Sequence, residues 1–258
     1  ALPLFAFYKS RVIYLFLRLS GPSFMKLGQL LAVRPDLVGD DIAKRLAIFH
    51  DKIPPFSCRR AKKIIEKEMG CSIGDIFIDF SKKPIASASI AQVYRCKKID
   101  GQEVALKILR PEIARIIKRD IISLKIISLI SLPFSRYFYK KVHDILNVLK
   151  FCSNYELDLL NEASAASQIK DNLRDCAEIY VPDVHWDLTT SKVMATSWVD
   201  GIPLSNIEKI NKSGIDKVKA ANNLVIGYLN QVYRDGFFHA DMHPGNLFLM
   251  SDSRIAMV

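Results

Sequence analysis

The stretch that most constrains this chain is a polar, turn-forming run at residues 239–246, which lies between two apolar segments. Its carboxylate, Asp241, and its amide, Asn246, are separated by four residues. This spacing is typical of loops that transfer phosphoryl groups, where the carboxylate takes the proton of the acceptor and the amide oxygen binds a metal ion. Asp and Asn are also common in loops that do no chemistry, so the spacing alone leaves a structural role open.

The composition indicates a globular protein with a substantial core, because 50% of the 258 residues are hydrophobic. The net charge of +10 favours anionic partners such as nucleotide phosphates, an anionic membrane or nucleic acid. The five cysteines contain no C-x-x-C pair, so we expect free thiols rather than disulfides or a zinc site. No transmembrane helix and no secretory signal are predicted, and a first residue other than Met suggests a start within a longer protein.

The first 70 residues are predicted to be helical. Residues 2–19 are apolar with interspersed basic residues, the pattern of a helix on a membrane surface or of one packed on the domain. A second helix contains Gly28, which indicates a close approach to a backbone or ligand, or a plain helix crossing. A short helix is expected at residues 40–50, and a basic helix is expected to begin at the N-cap Ser57 and stop at Gly70.

Sheet signals follow. Residues 85–96 and 102–109 are strand-like and are joined through Asp100-Gly101, a strong hairpin signal. Residues 111–174 then have helical periodicity, and their last helix is expected to cover about residues 143–174.

The remaining pattern again mixes strands with one helix. A second hairpin is predicted from residues 180–186 and 192–199, and an amphipathic helix from residues 216–235. Two short strands, at residues 247–250 and 254–258, follow the polar loop. Helical and antiparallel segments in this order predict an α+β fold.

A lysine on the second strand of the first hairpin extends the pattern. Val104-Ala105-Leu106-Lys107 corresponds to the V-A-I-K motif, whose lysine binds phosphates in kinases and is held by a helical glutamate. Glu162 is the predicted partner, and Asp158 is expected one helical turn earlier on the same face. Each residue alone is readily explained as a surface charge. Their order, followed by a second hairpin and Asp-x-x-x-x-Asn, indicates a kinase arrangement.

The nucleotide-covering loop departs from that arrangement. Standard kinases carry G-x-G-x-x-G, whereas this chain has Ala-Ser-Ala-Ser-Ile-Ala-Gln at residues 86–92. Alanine and serine leave the backbone less able to wrap closely around phosphates than glycine does.

Four motifs together resemble one known family, the UbiB or aarF-domain atypical kinases linked to ubiquinone biosynthesis. They are Lys26-Leu27-Gly28-Gln29, the alanine-rich loop at residues 86–92, Glu156-Leu157-Asp158, and the loop at residues 239–246. The resemblance runs from about residue 20 to residue 258. It implies a kinase-like fold with an N-terminal helical element folded over the active site.

The resemblance also implies a domain plan and a function. We expect an N-terminal helical extension at residues 1–70, a kinase-like small lobe with a helical insert at 71–204, and the start of the large lobe at 205–258. ATP and Mg²⁺ are the expected cofactors, with ATPase or small-molecule kinase activity rather than protein phosphorylation. The predicted catalytic residues are Asp241, Lys107 and Glu162, the predicted metal ligand is Asn246, and the predicted cofactor-binding residues are Ile85, Ala86, Ser87, Ala88, Ser89, Ile90, Ala91, Gln92, Val93, Lys107, Lys26 and Gln29.

The expected partners are a nucleotide and either anionic membrane lipid or enzymes of quinone biosynthesis. The implied location is a membrane surface, either the cytoplasmic face of a bacterial inner membrane or the mitochondrial inner membrane. A nucleotide-binding accessory protein without phosphotransfer is the alternative. Nucleic-acid binding is not predicted, because the sequence carries no recognisable module for it.

Two positions depart from the family pattern. Ser197 stands where the hinge usually has an acidic residue before its aromatic, here Trp198. The sequence stops at Val258, and the D-F-G motif is expected to begin at the next residue. Asn246 would then lack its carboxylate partner for the metal, unless Asp158 or Glu156 replaced it, so we expect the 258-residue chain alone to bind nucleotide poorly and to turn none over.

Overall fold

A computed structural model of the chain describes residues 39–46, 54–131 and 155–258, together with Gly28, Ala32, Pro35, Arg136, Tyr139, Lys140, His143, Leu146, Asn147 and Lys150. The predicted helix at residues 2–19 lies outside the described residues, as do Lys26 and Gln29. Gly28 is helical and buried.

The described helices alternate with short strands. The α-helices are α1 (Asp40–Leu46), α2 (Cys58–Met69), α3 (Ile113–Ser131), α4 (Leu159–Asn172), α5 (Ile207–Lys212) and α6 (Lys217–Leu229). The strands are β1 (Phe77–Phe80), β2 (Ala86–Ser87), β3 (Ala91–Lys98), β4 (Glu103–Leu109), β5 (Ile179–Tyr180), β6 (Val193–Ser197), β7 (Ile202–Pro203), β8 (Leu247–Leu249) and β9 (Ile255–Met257). Short 3₁₀ helices lie at Ile73–Asp75 and Trp186–Leu188, and a π-helix lies at Asn230–Asp235.

The chain forms two compact units, each assembled from several segments. The first contains residues 1–65, 82–94 and 107–158, and the second contains residues 66–81, 95–106 and 159–258. The domain boundaries expected at residues 70 and 204 stay predictions.

In the first unit, β2 and the start of β3 form an antiparallel hairpin in which Ala86 lies opposite Val93. The buried residues of this unit include Ala61 and Ile65 of α2, which lie one helical turn apart on one face. The N-cap predicted for α2 is confirmed, since the Ser57 Oγ accepts a hydrogen bond from the Arg60 N–H at 3.4 Å.

In the second unit, the predicted turn between β3 and β4 is confirmed. The Lys98 N–H donates to the Gln102 carbonyl at 2.8 Å, and the Gln102 N–H donates to the Asp100 carboxylate at 2.9 Å. Gly101 has φ +89°, a conformation that costs a residue with a Cβ more than it costs glycine. The sheet order is β1-β3-β4-β6.

A second sheet, ordered β5-β9-β8-β7, lies within the second unit and includes a parallel pairing of β5 with β9. Its core contains Leu247, Leu249, Ile255 and Met257, all at most 3% exposed. The sheet places β8 directly after the polar loop that the sequence singles out.

The second predicted hairpin is only partly correct. Residues 183–185 do pair antiparallel with residues 195–197 around the bridge between Val184 and Thr196. The expected strand does not continue back to Tyr180, because β5 pairs with β9 instead. Pro182 lies between these two pairings and has no N–H to donate to a strand, which explains the break.

Two predicted helices are shorter than expected. The helix expected over residues 143–174 is interrupted, because Leu157 and Asp158 are not helical and α4 begins at Leu159. Aspartate is favoured directly before a helix, which fits this position. The helix expected over residues 216–235 ends as α6 at Leu229 and continues as the π-helix.

Among the residues that the structure describes, no helix combines the length and apolarity needed to cross a membrane.

Candidate active site

The start of the polar loop is fixed by a buried glutamine. Gln231, in the π-helix, is fully buried, and its Oε1 accepts a hydrogen bond from the His239 N–H at 2.9 Å. Its Nε2 donates to the Gly227 carbonyl at 3.1 Å. Because a buried amide without partners is costly, this pair of bonds positions the first residue of the loop.

The end of the loop is fixed by the strands that follow it. The Asn246 N–H donates to the His243 carbonyl at 2.8 Å, and the Val258 N–H donates to the Asn246 carbonyl at 3.0 Å. The next residue, Leu247, is buried in the second sheet. Both ends of the loop are therefore anchored within the second unit.

Between these anchors, the two singled-out side chains touch. The Nδ2 of Asn246 donates to the Asp241 carboxylate at 2.8 Å and to the Asp241 carbonyl at 3.3 Å. The Asp241 N–H donates to the Nδ1 of His239 at 3.2 Å, so the proton of a neutral His239 ring lies on Nε2. Asp241 is exposed, and its carboxylate can accept a proton from a bound molecule or orient a water.

The donor chemistry of the loop fits a hard cation. Since Nδ2 of Asn246 is used by Asp241, the amide oxygen Oδ1 is the atom left for a metal, and Mg²⁺ prefers oxygen ligands. No cluster of three or more His, Cys, Asp or Glu side chains suited to a metal occurs in the described part of the chain. Mg²⁺ in proteins is usually bound together with phosphate oxygens of the substrate, which would join Asn246 Oδ1 at such a site.

The alanine-rich loop lies in the first unit, at the turn between β2 and β3. The Ala88 N–H donates to the Ala91 carbonyl at 2.8 Å, which closes a tight turn. Ser89 is buried, as are Ala91 and Gln92 at the start of β3. The loop is thus a folded hairpin tip rather than an open glycine-rich flap.

Lys107 also lies in the first unit, on β4. Its strand neighbours Leu106 and Ile108 are fully buried, whereas Lys107 is half-buried. Because side chains alternate across a strand, Lys107 lies on the opposite face from these two core residues. The structure confirms the predicted placement of this lysine on a strand.

Glu162 lies in the first turn of α4, in the second unit, and is exposed. Asp158 precedes the helix, so the prediction that it shares a helical face with Glu162 is wrong. The pairing of Lys107 with Glu162 stays a prediction, as do the cofactor contacts predicted for Lys26 and Gln29.

Trp198, in the segment that corresponds to the predicted hinge, forms a cluster of side chains that the sequence does not predict. The guanidinium of Arg95 lies over the Trp198 ring at 4.5 Å from its centroid and pairs with Glu103. The Trp198 N–H of the main chain donates to the Glu103 carbonyl at 3.0 Å, and its indole N–H donates to Asp200 at 2.9 Å. Only the three-dimensional fold brings these residues together.

Ser197, the departure from the family pattern, has a histidine partner. The His185 Nε2 lies 3.2 Å from the Ser197 hydroxyl. Burial and the nearby Lys98 charge lower the pKa of His185 below its usual value. A neutral imidazole can exchange a hydrogen bond with the hydroxyl in either direction.

A cavity of about 290 Å³ lies elsewhere in the second unit and is lined by residues of α4 and β5, with Cys176 and Arg254. Those predicted site residues that the structure describes do not line it.

Comparison with known proteins identifies the family that this chain resembles. The ABC1 atypical kinase-like domain matches residues 48–258. The probable protein kinase UbiB of Marinobacter nauticus is 39% identical over 233 residues, which are 89% of this chain and 42% of that protein. The probable protein kinase UbiB of Pseudomonas paraeruginosa is 40% identical over 231 residues, with 89% and 43% covered.

A solved structure, the complex of Rv3197 with erythromycin from Mycobacterium tuberculosis, is similar in fold. Its TM-score is 0.57 at 22% identity, and the match covers 99% of this chain and 64% of that chain.

The chain spans about two fifths of the length of the curated relatives it matches. The predicted α+β, kinase-like fold is confirmed by the family match together with the solved neighbour. The motif resemblance is confirmed by relatives at about 40% identity. The chain therefore belongs to the ABC1 family of atypical kinase-like domains.

Proposed function

We propose that this chain carries the nucleotide-binding core of an ATP-dependent enzyme that supports ubiquinone biosynthesis at a membrane. The observation that carries the proposal is the contact between Asp241 and Asn246, which holds the loop's carboxylate and amide at 2.8 Å. Family membership supports a kinase-like site, and the names of the relatives support the link to ubiquinone.

In this proposal each residue has one role. Asp241 takes a proton from the acceptor hydroxyl or orients an attacking water, and Lys107 binds the phosphates and neutralises part of their charge. Glu162 orients Lys107. Asn246 Oδ1 would hold Mg²⁺ together with phosphate oxygens, and the ion when bound supplies charge neutralisation at the transferred group.

The partners we propose follow from charge and family. The net charge of +10 favours an anionic membrane surface, such as the cytoplasmic face of a bacterial inner membrane or the mitochondrial inner membrane. Enzymes of quinone biosynthesis are the protein partners we propose, because the motifs resemble those of the UbiB kinases linked to ubiquinone biosynthesis.

The test is phosphate release from MgATP by the complete protein, with and without anionic liposomes. Sustained turnover that Asp241→Asn abolishes, while MgATP binding persists, supports the enzyme. MgATP binding without turnover in the wild type supports the accessory protein that does no phosphotransfer. Absence of both binding and turnover overturns the proposal.

A further inference from the structure

One arginine contacts the alanine-rich loop at several points. The Arg110 Nε donates to the Ala88 carbonyl at 3.0 Å, and its Nη2 donates to the Ser87 hydroxyl at 2.9 Å. The Arg110 main-chain N–H donates to the Ile90 carbonyl at 2.7 Å. A single residue directly after β4 thus binds three residues of the loop, Ser87, Ala88 and Ile90.

The same guanidinium reaches the segment at residues 54–56, which precedes α2. Its Nη2 also donates to the Pro54 carbonyl at 3.1 Å, and its carbon Cζ lies 5.9 Å from the centre of the Phe56 ring. Arg110 therefore joins this segment to the loop through Nε and Nη2 of one planar group.

Gln92 makes a second connection between the same two parts. Its Oε1 accepts from the Phe56 N–H at 3.1 Å, and its Nε2 donates to the Phe56 carbonyl at 3.3 Å and to the Tyr94 hydroxyl at 2.6 Å. Only one orientation of the amide satisfies both Phe56 contacts. Gln92 and Tyr94 are both fully buried, so breaking this network would leave polar groups without water.

The partners that the structure describes for Arg110 are neutral oxygens and an aromatic ring. Burial lowers the pKa of the guanidinium, which nonetheless stays charged at neutral pH. A carboxylate would satisfy one edge of such a group and hold it away from the main chain. The guanidinium of Arg110 instead donates to neutral acceptors in two segments, and its forked geometry fixes the backbone positions of both.

We infer that Arg110 is a positioning residue for the alanine-rich loop, and that with Gln92 it couples the loop to residues 54–56. The loop lacks the glycines that let a kinase loop adapt to phosphates. Hydrogen bonds from Arg110 and Gln92 set its shape instead. The inference rests on the proposed function for the loop's role in nucleotide binding. Movement of residues 54–56 would then change nucleotide affinity without contact with the nucleotide.

The experiment combines hydrogen exchange with MgADP titration of the complete protein, comparing wild type, Arg110→Lys and Arg110→Met. The amides of Ala88 and Phe56 report on the loop and on the segment, because each donates one of the bonds described above. We expect both amides to exchange at least about tenfold faster in Arg110→Met, and the dissociation constant for MgADP to rise about tenfold. Arg110→Lys keeps the charge but not the fork, so it is expected to restore only part of either effect.

Arg115→Met is the matched control, because Arg115 lies in the same unit with an 81% exposed side chain that pairs only with Glu112 in the described chain. Wild-type exchange at both amides in Arg110→Met overturns the inference, whatever the affinity. Faster exchange with unchanged MgADP affinity overturns the positioning role. If the wild type binds no MgADP, the proposed function fails. The exchange rates alone then still decide whether Arg110 couples the loop to residues 54–56.

Discussion

Asn246 donates its amide N–H to the carboxylate of Asp241 at 2.8 Å, so the two residues that share the Asp-x-x-x-x-Asn spacing are also direct partners. The bond fixes the orientation of the Asn246 amide, with nitrogen towards Asp241 and oxygen free for a cation. It also holds the carboxylate in one place before any ligand binds. The loop is therefore preorganised by the same two side chains that are proposed to act in it.

Asn246→Asp is expected to turn this bond into a repulsion between two carboxylates. Without metal, we expect the free energy of unfolding to fall by about 1 kcal/mol, because like charges replace a hydrogen bond at a partly exposed site. Added Mg²⁺ should restore stability, since two carboxylates can share one cation. Denaturant unfolding with and without MgCl₂ measures both effects. Asn246→Ala is the control, and equal Mg²⁺ rescue of both variants would contradict the prediction.

Gln231→Leu is expected to destabilise the protein by about 1–3 kcal/mol, because the partly buried His239 N–H loses its acceptor and the buried Gly227 carbonyl loses its donor. Urea unfolding measures the loss, and Asn222→Ala on the exposed side of α6 is the control. The variant should also lower turnover, since His239 begins the active loop. Full stability in Gln231→Leu would show that the π-helix does not anchor this loop.

Gly227→Ala tests the contact between α6 and β5. A Cβ at this position would overlap Cγ1 and Cδ1 of Ile179, a β-branched side chain with few alternative rotamers. We expect a loss of about 1–3 kcal/mol in unfolding free energy from overpacking. The double variant Gly227→Ala with Ile179→Ala should be more stable than the sum of the two single losses predicts. Simple additivity in this cycle would rule out the steric contact.

The sequence predicts those elements whose signals are local. Turn and capping chemistry within a few residues predicts the Asp100-Gly101 turn, the Ser57 cap and the strands that flank Asp252. The predicted helix over residues 216–235 begins at Asp216, and in the structure this residue caps α6 by accepting two bonds of 3.0 Å, from the Val218 and Lys219 N–H groups.

The parts that the sequence does not predict depend on distant contacts. In the sequence, Gln231 is one more polar residue of a predicted amphipathic helix. Only the fold shows that its side-chain amide is buried and accepts a hydrogen bond from the His239 N–H. Arg110 follows a strand and precedes a proline, which carries no signal of a contact with residue 54. The interrupted helix before Leu159 is a different case, since Asp158 favours a helix start and this local signal was available.

The ion pair between Lys192 and Glu68 is expected to make the stability of the fold depend on pH. Burial raises the pKa of Glu68, but hydrogen bonds from Lys192 and Thr190 outweigh burial and lower it below its ordinary value of 4.5. A lowered folded pKa gives stability that is present above the unfolded pKa and is lost as pH falls through the folded pKa. Lys192→Met should therefore be less stable than wild type at neutral pH, and the difference should shrink below about pH 4.5.

Urea unfolding across this pH range measures the difference between the two proteins. Lys217→Met is the control, because Lys217 donates to the amide of Asn211, which does not titrate. A difference between wild type and Lys192→Met that stayed constant from neutral to acidic pH would count against the ionic contribution of Glu68.

Lys107→Ala is expected to reduce MgADP affinity much more than stability. Lys107 is a half-buried strand residue whose core-facing neighbours remain, so truncation removes mainly its stem from the packing. We expect a stability loss of less than about 1 kcal/mol but a loss of affinity of about tenfold or more, because the charge is proposed to lie at the phosphates. Lys97→Ala, at an exposed position of β3, is the control.

In a double-mutant cycle with Glu162→Gln, the effects on MgADP affinity should be non-additive, since Glu162 is predicted to act through Lys107. Additive effects would separate the two residues, and equal losses of affinity and stability in Lys107→Ala would assign the lysine a structural role.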